Sequence, residues 1–135
     1  MELDTYTTAG IVQWSDEKYS IGIAEIDEQH QCIFAYINEI AIAIENKADK
    51  FKLSVLFNQL FDYTEYHCQY EEQYFAVLSP EDLTLHKLQH KHFLEQVREI
   101  QKQSEQQLLT NIELLYCLAE WYTDHMQLED KKLNQ

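Results

Sequence analysis

The stretch Phe61–Glu72, FDYTEYHCQYEE, sets the hardest condition on what this chain can fold into. His67 and Glu71 stand four residues apart in a segment whose apolar residues recur at helical spacing, so both lie on one face, about one turn apart. Leu53, Phe57, Leu60 and Thr64 lead into that face, and Tyr74 and Leu78 follow it. An imidazole and a carboxylate turned into an apolar interior each cost on the order of several kcal/mol if unpaired. The helix therefore needs matching groups from other segments.

The remainder of the chain supplies helices to carry them. Two glycines and one proline in 135 residues are too few for the turns of an all-β fold. The spacing predicts helices over about residues 27–46, 51–77, 80–103 and 105–132, after an N-terminal arm at 1–26. Asp27 is the expected N-cap of the first helix, with the stripe His30, Ile33, Phe34, Ile37, Ile40, Ala41 and Ile44. The polar Asn46–Asp49 stretch should end it. Ser79 and Pro80 divide the second helix from the third, with Ser79 as cap and Pro80 in the first turn. The third stripe is Leu83, His86, His90, Phe93, Val97 and Ile100. The fourth is Leu108, Ile112, Leu115, Leu118, Trp121 or Tyr122, His125 and Leu128. The arm reads as an ordered loop anchored by Trp14, Ile21 and Ile23. Four amphipathic helices with short connections make an all-α, antiparallel up-down-up-down four-helix bundle in one domain the expected fold.

Five of the six histidines fall on these stripes: His30, His67, His86, His90 and His125. His92 is turned about 200° from His90 and should face outward. Two carboxylates join them, Glu71 and Asp130. His67 with Glu71, and His86 with His90, share faces at a four-residue spacing. Asp130 lies five residues beyond His125, about 140° round an ideal helix, so a helix widening or a frayed end must close the gap. One buried histidine is commonly a hydrogen-bonded core residue, but five from four helices point to a metal site. Five imidazoles and two carboxylates exceed the needs of one tetrahedral zinc. Two metals sharing both carboxylates use them all, three histidines on one metal and two on the other, which keeps an open position. Donor softness leaves iron, zinc, copper and nickel open.

The order His30, His67-x3-Glu71, His86-x3-His90, His125-x4-Asp130 resembles the hemerythrin family in its single-domain bacterial form. The segment from Trp14 to His30, Phe93 after the second pair, and Trp121 in WYTDH agree with it. The likeness runs from about Val12 to Leu133. The seven-residue set in order is specific, whereas a lone HxxxH or HxxxE is weak. The resemblance implies two non-haem iron ions with an oxo or hydroxo bridge and reversible O2 binding for storage, transport or scavenging. It implies that His86, His90 and His125 hold the filled iron, His30 and His67 the open one, and that Glu71 and Asp130 bridge. Tyr74, Ile33 and Leu128 are the expected O2-pocket lining.

The sequence departs from the family pattern with Cys68 after His67 and with Tyr74-Phe75 where Leu-Met is usual. Tyr74 reads either as a hydrogen-bonding or redox group beside the pocket or as a core tyrosine whose hydroxyl is bonded elsewhere. Cys68, Cys32 and Cys117 read as packing residues between helices. The alternatives to an O2 carrier are a di-iron redox enzyme (peroxidase-like or nitric-oxide-handling), an O2 or redox sensor, and an iron-handling protein. An enzyme requires an electron donor or acceptor partner.

A net charge of −14 disfavours nucleic acid and anionic membrane surfaces as partners. The acidic N-terminus does not read as a secretory signal, and no apolar run approaches a membrane span. An odd set of cysteines without zinc spacing suits a reducing, cytoplasmic setting. Charged outer faces leave a monomer as the expectation.

Overall fold

The computed structural model describes residues 11–105 and 111–130, save the side chains of Asn111 and Leu114. Its α-helices are α1 (Asp16–Tyr19), α2 (Ala24–Glu45), α3 (Lys50–Leu78), α4 (Leu83–Glu105) and α5 (Asn111–Leu128). Helix α2 packs on α3, α3 on α4 and α4 on α5, and α5 closes back onto α2. The result is the antiparallel four-helix bundle expected, with no strand among the described residues.

The helix ends follow from local chemistry. Lys47 takes a left-handed φ of 57°, and Ala48 N–H donates to the Ala43 carbonyl at 2.9 Å, which closes α2 within the polar stretch expected to end it. Asp49 then caps α3 by accepting from Lys52 N–H at 2.8 Å. Asp27 does not cap α2. Ala24 and Glu25 are good helix formers, so α2 starts three residues before Asp27, behind a turn at Gly22 with φ 80°. The Asp27 carboxylate instead holds the incoming arm, accepting from Ile21 N–H at 2.9 Å and from the Ser20 hydroxyl. Pro80 opens a 3-10 turn, Pro80–Asp82, rather than an α-helix, and Ser79 makes no side-chain cap. Glu105 ends α4 instead of starting the last helix; Leu108 and Lys132 lie outside the described residues.

The arm is not wholly loop. It contains α1, whose Tyr19, with Trp14, packs edge-on against Phe34 at 5.2 and 5.6 Å. Asn38 ties its start, accepting from the Ile11 and Val12 amides at 2.8 and 3.0 Å and donating to the Val12 carbonyl at 2.7 Å.

The apolar core fills one part of the bundle. It joins Ile33, Phe34, Ile37 and Ile40 of α2, Phe57 and Leu60 of α3, Phe93, Val97 and Ile100 of α4, and Leu115, Leu118, Tyr122 and Met126 of α5. A smaller cluster of Ile21, Ile26 and Phe75 sits where the arm meets α3. Phe57 is fully buried, whereas Phe51 is 79% exposed. Phe57→Ala should lower unfolding free energy by about 3–5 kcal/mol in urea titration, and Phe51→Ala should change it by less than about 0.5 kcal/mol.

Candidate metal centre

Beside this core, four helices bring the polar residues together. Helix α2 contributes His30, α3 His67 and Glu71, α4 His86 and His90, and α5 His125, with Asp130 just beyond its end. All seven are buried; Glu71, His30, His86 and Asp130 are inaccessible to solvent. The chain leaves the α-helix after Leu128, with Glu129 N–H donating to the His125 carbonyl at 2.8 Å. A helix end, not a mid-helix widening, thus turns Asp130 back beside His125.

Each carboxylate faces two ways. Glu71 Oε2 lies 3.1 Å from His30 Nε2 and 3.2 Å from His67 Nε2, while its Oε1 lies 3.0 Å from His90 Nε2. Asp130 Oδ2 lies 3.2 Å from His30 Nε2, and its Oδ1 lies 3.1 Å from His125 Nε2 and 3.5 Å from His86 Nε2. Two overlapping donor groups result. One is His30, His67, Glu71 and Asp130; the other is Glu71, His90, His125 and Asp130, each with its ligand atoms within 4.8 Å of one another. His86 stands beside the second group, its ring packed on Phe75 at 3.5 Å between centroids.

The donor atoms fit metal better than they fit each other. His86 Nε2, His125 Nε2 and both Asp130 oxygens are buried without a hydrogen-bond partner among the described residues, although ion-pair distances are met. Groups that close but misaligned for proton sharing suit a cation placed between them.

Neighbouring residues aim the rings. His67 Nδ1 lies 2.7 Å from Gln29 Oε1 and His90 Nδ1 lies 2.9 Å from Glu72 Oε2. Donating Nδ1–H outward leaves Nε2 free to face the centre. Trp121 lies flat on His125, centroids 5.2 Å apart and planes 7° apart.

Sequence reasoning missed Gln29 and set Glu72 aside as off the inner face. The signal was present for both: each is a polar residue directly adjoining a residue on the inner stripe. Ile33 is buried in the core beside α5, as a lining residue would be. Tyr74 and Leu128 are not so placed. Tyr74 is half-buried and its ring packs on Tyr70, the last in a row of rings running Tyr36, Tyr63, Tyr66, Tyr70, Tyr74. The inner position is taken by Phe75, four residues past Glu71 and fully buried. Leu128, at the last turn of α5, is 69% exposed, and Leu78, at the end of α3, is 55% exposed. His92 is exposed, as expected. Cys68 is buried, but Cys117 is exposed and so does not pack between helices.

Burial would lower the pKa of His30, but the Asp130 and Glu71 carboxylates beside it overcome that and raise the value to about 9. Burial likewise opposes a charged His90, and Cys68, Glu71 and Glu72 outweigh it, raising the pKa. His67 goes the other way, lowered by burial despite Glu71. Burial opposes the anionic forms of Glu71 and Asp130, yet the surrounding imidazoles hold both below the usual carboxylate range. At neutral pH the metal-free cluster is therefore two carboxylates balanced by protons on His30 and His90. A metal ion must displace those protons, so its affinity rises with pH. We expect the apparent affinity to grow about tenfold per pH unit for each proton displaced, up to pH 9. Calorimetric titration with Fe(II) under nitrogen, in buffers of different ionisation enthalpy, measures the protons released.

Comparison with known proteins agrees with this geometry. Residues 21–135 match the family model described as the hemerythrin HHE cation binding domain. A bacteriohemerythrin of Clostridium acetobutylicum is 28% identical over 127 residues, covering 88% of this chain and 95% of that protein. A bacteriohemerythrin of Stenotrophomonas maltophilia is 25% identical, covering 90% and 78%. The crystal structure of a wild-type hemerythrin, 19% identical, has the same fold, with a TM-score of 0.82 over 93% of this chain and 96% of that one. With its family model spanning most of its length, this chain belongs to the hemerythrin family.

Proposed function

We propose that the seven-residue cluster holds two iron ions and that the protein binds O2 reversibly there. The observation that carries this reading is the two-way orientation of Glu71 and Asp130. Each turns one oxygen toward His30 and the other toward the His86, His90 and His125 side. Carboxylates so placed could each be shared by two ions. His86, His90 and His125 would hold one iron, and His30 and His67 the other, leaving the second a donor short. Bound iron would supply the electrons and the attachment point for O2.

The chain's own residues set the rest. Five imidazoles bring no negative charge, unlike the glutamate-rich sets of ferritin-like di-iron proteins. The centre is thus less disposed to stabilise highly oxidised iron and cleave O2. Gln29 and Glu72 fix the tautomers of His67 and His90. Ile33, Phe75, Phe93 and Met126, all buried, exclude water and stray protons. No helix among the described residues is long and apolar enough to cross a membrane. The odd set of cysteines without zinc spacing supports a cytoplasmic setting for the O2 binder.

One observation favours a redox enzyme as the second reading. Trp121, stacked on His125, lines a surface cleft with Leu88, His92 and Leu128, which offers an electron donor a short route inward. One experiment separates the two. Fe(II) is loaded without air, O2 is admitted and then removed, and the visible spectrum is followed. A carrier shows two irons per chain and a charge-transfer band that appears and vanishes over several cycles. A band that decays irreversibly to an oxidised spectrum favours the enzyme. Glu71→Ala or His125→Ala should abolish two-iron loading, and His92→Ala should leave it unchanged.

A further inference from the structure

Tyr122 is an interior polar group that the seven-residue cluster leaves unused. It lies on α5 one turn before His125 and is 3% exposed. Its ring meets the His30 ring edge-on at 5.9 Å, the one imidazole it touches among the described residues. Phe93 at 4.8 Å and Phe34 at 6.4 Å pack against its other sides. His30 in turn packs on His67 at 4.6 Å, so Tyr122 stands at the two-histidine side of the centre. Its hydroxyl has no hydrogen-bond partner among the described residues. A buried phenol nearly always has one, and leaving it without costs as much as a lost hydrogen bond. Phenylalanine would fill the same space without that cost. The hydroxyl thus has the character of a donor awaiting an acceptor that comes and goes.

We propose that the Tyr122 hydroxyl donates a hydrogen bond to small ligands bound on the His30–His67 side of the centre. It favours ligands whose free end is a good acceptor, such as O2, nitric oxide or azide, over carbon monoxide, whose free oxygen is a weak one. The hydroxyl keeps its proton throughout, so the step is a hydrogen bond and not a proton transfer. One reading of Tyr74 is a hydrogen-bonding group beside the pocket; Tyr122 would fill that part from α5 instead of α3. This inference rests on the two-iron reading above.

The test compares the wild type with Tyr122→Phe, both loaded with iron, oxidised and titrated with azide. The expected result is an equal iron count and an azide dissociation constant raised about tenfold. The azide stretching band of the wild type should also shift between H2O and D2O, and that shift should vanish in Tyr122→Phe. Equal iron with unchanged affinity and an unchanged isotope shift overturns the proposal. Failure of the wild type itself to hold two irons or azide sinks the reading it rests on, and the proposal with it. The metal-free proteins give an independent check. Tyr122→Phe should melt at the same temperature as the wild type or higher, because no protein hydrogen bond is lost. A lower melting temperature means that the hydroxyl is bonded within the fold, which also overturns the proposal.

Discussion

The structure depends on burying two carboxylates together. Glu71 and Asp130 are inaccessible to solvent, and each would cost several kcal/mol or more if left alone. Five imidazoles from four helices surround them, and that arrangement dictates where the helices stand. Glu71 reaches groups on α2, α3 and α4; Asp130 reaches groups on α2, α4 and α5. No helix of the bundle lies outside this network. The apolar core from Ile33 to Ile100 supplies most of the stability, while the carboxylates fix register, since a shift of one residue would strand a buried charge.

The same crowding makes the metal-free cluster an imperfect solution. Protons on His30 and His90 neutralise the carboxylates, but His86, His125 and Asp130 retain buried atoms without hydrogen-bond partners among the described residues. Cations between the two histidine sets would satisfy these atoms at once. The donor set inclines the loaded centre toward holding O2 rather than breaking it, and Tyr122 adds an unengaged hydroxyl on the His30 side. The residues that aim the imidazoles, Gln29 and Glu72, lie one position from the inner stripe, where they touch ring nitrogens without entering the centre.

Much of this was legible in the sequence, because helical periodicity and ligand spacing are the same signal. His30, His67, Glu71, His86 and His90 fall on stripes most of whose apolar members belong to the observed core. What escaped depends on where helices stop and on the angular width of a face. Asp130 is out of phase on an ideal helix and becomes a neighbour of His125 only because α5 ends first. Tyr74 and Phe75, three and four residues past Glu71, both fit a helical stripe within tolerance, and packing against His86 selects Phe75. Leu128 continues the α5 stripe into a last turn where its side chain stays exposed. Asp27 has the chemistry of a cap, but the good helix formers Ala24 and Glu25 precede it, so its carboxylate serves the arm instead. Helix caps, like outer hydrogen-bond partners, are decided by neighbours distant in sequence.

The central claim is that one set of buried residues forms a paired centre bridged by two carboxylates. Anomalous diffraction at the iron absorption edge, from crystals of the iron-loaded protein, tests it most directly. The account predicts two peaks per chain, one bonded by His30 and His67, the other by His86, His90 and His125, with Glu71 and Asp130 bonded to both. A single peak, or two peaks that do not share the carboxylates, would contradict it.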